Sequence, residues 1–214
     1  MNILICKLSN AEYIKIINEN NVDFSQLDYC CDEVIGFFVN QENQQICIGE
    51  KLAGNFFEKF INRIKSAIHN QLPLHESITQ NLGFMWNEDC QNDTKSPSER
   101  SIEISNRYEI ILNYNIWFTY ISKNPMFSTW LYNDKNGNII FEVTKDYPWS
   151  FFPDEPENHD FVTYEEFMKD YQSTIQRVIP REIAIEWLDQ AMKAYRCLFD
   201  NEADFLSACK EFKL

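Results

Sequence analysis

The sequence predicts an α+β fold: a mainly antiparallel sheet with hairpins, packed by a long central helix and two to three C-terminal helices. Three observations lead there. Apolar residues recur at helical spacing over residues 51–69, a β-branched and aromatic stretch punctuated by Asn-Gly fills the middle, and the last third has helical periodicity throughout.

Taken in chain order, residues 2–7 read as a short strand and 10–19 as a short helix. Residues 33–39 (Glu-Val-Ile-Gly-Phe-Phe-Val) and 45–49 (Gln-Ile-Cys-Ile-Gly) read as strands joined by a polar turn over 40–44. In the long helix, Leu52, Ala53, Phe56, Phe57, Phe60, Ile61, Ile64, Ala67 and Ile68 form one apolar stripe, and Glu58, Lys59, Arg63 and Lys65 fall largely outside it. Pro73 breaks that helix, and 75–82 offers a short one. The polar run 87–98, with its Ser-Pro step, reads as an exposed loop. Phe84, Met85 and Trp86 before it read as core or edge packing rather than a ligand platform.

From Ile102 to Val143 the pattern is β, with a buried-strand composition over 116–121. Residues 126–132 and 138–144 flank Asn133-Asp-Lys-Asn-Gly137, a hairpin signal. Thr163 with Glu166 forms a capping-box pattern, and Val162 with Phe167 fits a hydrophobic staple, opening a helix that carries Tyr171, Ile175 and Val178 and stops near Pro180. Further helices are predicted over about 181–199 and about 202–212.

At 214 residues the chain suits a single α+β domain, 1–214, with a possible subdivision near 87–100. With 44% hydrophobic and 15% aromatic residues it is too apolar to be disordered, and five glycines argue against a Gly-rich phosphate cradle. Nineteen Lys and Arg stand against 33 Asp and Glu, for a net charge of −14. Phosphate neutralisation needs clustered cations, whereas the densest group here (Lys51, Lys59, Arg63, Lys65) is diluted by Glu50 and Glu58. The expected partners therefore exclude nucleic acid and anionic membranes, and a basic protein is the partner that the charge attracts. No stretch approaches 18 apolar residues, so no membrane-spanning helix is expected. Seven cysteines, an odd number without a C-x-x-C pair, together with an N-terminus unlike a signal peptide, point to free thiols in a reducing cytoplasm.

Local signatures of catalysis or of a cofactor do not occur: there is no P-loop, no G-x-S-x-G, no H-E-x-x-H and no G-x-G-x-x-G. The expectation is no cofactor and no dedicated metal site. His69 ends the long helix, where a cation complements the dipole. Asp134 to Gly137 resembles part of a calcium loop, but with Gly137 sixth the first and twelfth positions would be Tyr132 and Val143, which cannot chelate in those roles.

The connector 146–160 stands apart: three prolines, five acids and four aromatics lie close together. Asp154, Glu157 and His159 offer metal-ligand chemistry at a spacing that matches no known site. The segment either packs its rings onto the sheet with its acids in water, or presents aromatic anchors ringed by carboxylates to a cationic partner. The candidate partner-binding residues are Tyr147, Trp149, Phe152, Asp154, Glu155 and Glu157, with Asp134 at the hairpin tip.

Residues 130–149, followed by Tyr164-Glu-Glu-Phe-Met-Lys-Asp-Tyr171, resemble uncharacterised bacterial proteins, and small acidic α+β proteins of this kind are similar to immunity proteins of polymorphic toxin systems. The resemblance covers about 115–195, is one of texture, and carries no site residues. It implies a non-enzymatic protein that binds and neutralises a cognate toxin. The alternatives are a hydrolase or transferase with a site assembled from distant residues (Cys30, Cys31 or His159), or a self-associating structural protein.

Overall fold

A computed structural model describes residues 2–93, 95, 102–119, 125–148 and 162–214. The chain is α+β, but its strands make two four-stranded antiparallel sheets instead of one. The first has the order β1 (Ile3–Lys7), β2 (Tyr13–Asn18), β3 (Glu33–Val39), β4 (Gln45–Leu52). Helix α1 (Ala53–Ile68) follows directly. After α2 (Leu82–Asp93) and α3 (Ile102–Leu112) comes the second sheet: β5 (Asn115–Phe118), β6 (Met126–Asn133), β7 (Ile139–Asp146) and β8 (Ile175–Ile179). The short α4 (Tyr164–Met168) precedes β8, and α5 (Arg181–Arg196) and α6 (Glu202–Glu211) close the chain.

Both predicted hairpins form, and in the same way. Gly137 N–H donates to Asp134 O at 2.9 Å and Asn43 N–H to Asn40 O at 3.0 Å, each closing a three-residue loop on a left-handed residue, Gly137 at φ 80° and Asn43 at φ 59°. The capping box at Thr163 and Glu166 is also present, on the first turn of α4.

Five segments differ from the sequence reading, the first being 75–82, where only Leu82 is helical. Residues 13–18 are a strand because their burial alternates with period two, Ile14 and Ile16 facing the core. The 87–98 run is largely the second half of α2. Asn87 and Asp89 are buried with partners: Asn87 Nδ2 donates to Gly83 O at 2.7 Å, and Arg107 of α3 pairs with Asp89 and, at 2.6 Å, with the half-exposed Glu88. Residues 102–112 are helical, and β structure begins only at Asn115. The helix from Thr163 ends at Met168, and Ile175 and Ile179 are the buried ends of β8 while Val178 stays 61% exposed.

α1 packs against α5 on one side and against strands of both sheets on the other. Its stripe is buried as predicted, with one addition. Glu58 is buried as well, accepting from the hydroxyls of Tyr29 and Tyr195, and burial raises its carboxyl above the ordinary range. The sheets meet where β4 crosses β5 and β6. Thr129 Oγ1 donates to Ile48 O at 2.5 Å, and the Trp117 ring lies between Gly49 and Phe56, stacked on Phe56 at 4.3 Å. Buried residues of both sheets, α1, α2 and α5 belong to one hydrophobic cluster. Among the described residues, no helix is long and apolar enough to cross a membrane.

Candidate functional site

Where β4 passes into α1, Glu50, Lys51, Leu52 and Asn55 meet α2, α3 and the neighbouring ends of β5, β6 and β7 around a cleft of about 460 Å³. Trp86 of α2 forms its main wall. The indole stacks on Tyr108 of α3 (centroids 5.0 Å apart, planes at 29°) and on Phe118 of β5 (5.3 Å, 28°), and it meets Trp130 edge-on. Leu52, Leu112 and Met126 complete the apolar lining.

Several polar groups open onto these walls. Asp146, the last residue of β7, is 4% exposed. Ser128 Oγ donates to its Oδ2 at 2.7 Å, while Oδ1 has no partner among the described residues. Burial outweighs the Ser128 bond and pushes this carboxyl up to about 7. Trp86, also 4% exposed, has no partner for its Nε1–H among the described residues. Burial lowers the Lys51 ammonium from its ordinary range. Behind Phe118, Lys59 donates to Asn115 Oδ1 at 2.7 Å and sits 5.5 Å from the Phe118 centroid. Burial, with the Lys51 and Arg63 charges, holds Lys59 down to about 7.

Glu50 joins the cleft to a second feature. It is 4% exposed, and its carboxylate oxygen lies within 4.8 Å of those of Glu19 and Glu33. Three carboxylates at that spacing have the chemistry for a hard divalent cation. The cleft itself combines flat apolar walls, a stranded donor and a carboxyl that changes charge near neutrality, a combination associated with ligand sites.

The sequence candidates fall elsewhere. Tyr147 is not an outward anchor: it is 5% exposed, its N–H donates to Asn87 Oδ1 at 2.5 Å, its hydroxyl donates to Val162 O at 3.1 Å, and its ring packs on Tyr164 and Phe167. Asp134 turns its carboxylate back on the hairpin, accepting from the N–H of Asn136 and Asn138 and from the Asn138 amide. Trp149, Phe152, Asp154, Glu155 and Glu157, together with His159, lie outside the described residues. None of the seven cysteines is in a disulfide among the described residues. The hydrogen bond of Cys31 to Asp28 raises its thiol, opposite to the shift that activates a cysteine nucleophile. The cleft residues missed by sequence reasoning are Trp86, Tyr108 and Asp146, and the only signal that pointed to them was the density of aromatics around Phe84–Trp86.

No protein family, curated protein or solved structure matches the chain. The functional reading therefore rests on charge and geometry.

Proposed function

We propose that the protein is a non-enzymatic, acidic binding protein that captures a basic protein, an immunity-type antagonist of a cationic toxin being the concrete case. The observation that carries this is the meeting of Glu19, Glu33 and Glu50 from three successive strands or their ends, with carboxylate oxygens within 4.8 Å. No Lys or Arg occurs between Lys15 and Lys51, and Asp23, Asp28 and Asp32 add to the same stretch. In a chain of net charge −14 the summed field also steers basic partners toward contact. The connector bearing Trp149, Phe152, Asp154, Glu155 and Glu157 supplies the aromatic anchors on this reading.

Two charge reversals test it, Glu19→Lys with Asp28→Lys, and Asp154→Lys with Glu155→Lys and Glu157→Lys. The immobilised wild-type chain is expected to retain a basic protein from its native lysate and to release it as salt rises from about 0.05 to about 0.3 M. At least one reversal should reduce retention by about tenfold or more. Full retention by both variants contradicts the proposal.

A further inference from the structure

We propose that the cleft between β4, α2, α3 and the second sheet is a binding site for a small, flat, ring-bearing carboxylate, its ring against Trp86, Tyr108 and Phe118 and its acid group toward Lys51 and the Trp86 indole N–H. The site adjoins the acidic surface of the proposed function at Glu50 but does not depend on that reading.

Size and shape agree with such a ligand: about 460 Å³ lies within the range of small-molecule sites. The walls suit a flat ring because aromatic faces line them, Trp86 stacking on Tyr108 and on Phe118 with planes 29° and 28° apart. The sign of the ligand's charge follows from the polar groups. An indole N–H donates only, so the unpartnered Trp86 Nε1–H is satisfied by an acceptor and never by a cation. Lys51 lines the cleft with no side-chain hydrogen bond or ion pair among the described residues, and Lys59 and Arg63 add positive potential nearby. Lys59 is lowered first by burial and then by the charges of Lys51 and Arg63, and an anion in the cleft relieves that repulsion. Two carboxyls oppose this sign. Glu50 has its carboxylate in the cluster with Glu19 and Glu33, and Asp146 loses its charge when protonated, so that it too can donate to the ligand.

Calorimetric titration of the full chain with 2-naphthoate, 2-naphthylmethanol and 2-naphthylmethylammonium, three probes of one ring system, tests the inference. The carboxylate is expected to bind tightest, by about tenfold or more over the ammonium, which corresponds to about 1.4 kcal/mol. Lys51→Met should remove most of that preference while leaving the alcohol's affinity unchanged. Trp86→Phe, which keeps a ring in the wall, should weaken the carboxylate several-fold; circular dichroism verifies its fold, and Lys51→Met carries the test if it misfolds. Carboxylate affinity should also rise from pH 8 to pH 6, because Asp146 and Lys59 each take up a proton through about 7. Cys90 and Tyr171 face Asp146 and stay protonated over that interval, and Lys51 and Arg63 face Lys59 as cations. Equal or tighter binding of the ammonium probe overturns the inference and gives the cleft to a cationic group. Indifference of the carboxylate to Lys51→Met, or no saturable binding of any probe, overturns it as well. The Glu19→Lys, Asp28→Lys chain should bind 2-naphthoate at least as well as wild type, so failure of the basic-partner reading and failure of this one are told apart.

Discussion

Asp146→Asn is expected to raise the free energy of unfolding by up to about 4 kcal/mol at pH 8 and to change it little at pH 4. The folded carboxyl holds its proton to about 7, whereas an unfolded Asp releases it near about 3.9. Between those values the folded chain binds more protons than the unfolded one, so stability is present in full below about pH 4 and is lost as pH rises through about 7. Three units of difference correspond to about 4 kcal/mol. Asn keeps a carbonyl oxygen for the Ser128 hydroxyl and removes the charge. Urea unfolding at the two pH values measures the effect, and a substitution that destabilises at pH 8, or acts equally at both, refutes the assignment. Lys59 works in the opposite sense. Its folded value near 7 lies below the unfolded one near about 10.4, so its contribution returns as pH rises from neutrality toward 10. Together the two groups place a local minimum of stability near pH 7.

Gly49→Ala should cost about 3 kcal/mol or more and lower the melting of both sheets together. A Cβ at Gly49 would fall on the Cβ and Cγ atoms of Trp117, the base of that side chain, which cannot swing aside. Trp117 is itself fixed, stacked on Phe56, 4.6 Å from Phe60, and donating from Nε1 to Phe56 O at 3.3 Å. Overfilling so rigid a contact displaces β4 from β5. Denaturation followed by circular dichroism and by tryptophan fluorescence should shift to the same lower midpoint. A loss below about 1 kcal/mol would show that the crossing yields more readily than its packing implies.

The elements legible in the sequence were those in which local chemistry and burial agree. The α1 stripe from Phe56 to Ile68 is buried against both sheets, and the two hairpins carry their turn residues, Asn43 and Gly137, at the positions where left-handed backbone is needed. The misread elements are those in which tertiary partners override composition. α2 looked like a loop because Asn87, Asp89 and Asn92 are polar, and they are buried because Tyr147, Arg107 and other groups satisfy them. β8 passed for helix because Ile175 and Val178 are three apart, whereas the strand buries Ile175 and Ile179 and exposes Val178.

The candidate site was the least legible part. Trp86, Tyr108, Phe118 and Asp146 come from four elements, and neither the partner missing from Asp146 nor the one missing from Trp86 can be read from spacing. The aromatic-acidic connector attracted notice for its composition, yet its first ring, Tyr147, belongs to the interior.

The titration of the Asp146 carboxyl carbon, followed by carbon-13 NMR in the folded chain, tests most directly whether a carboxyl stands stranded in a ring-walled cleft. A midpoint near 7, shifting upward when 2-naphthoate is bound, is the result expected here. A midpoint below about 5 would mean an ordinary, solvated or paired carboxylate, and the cleft would lose the group that distinguishes it.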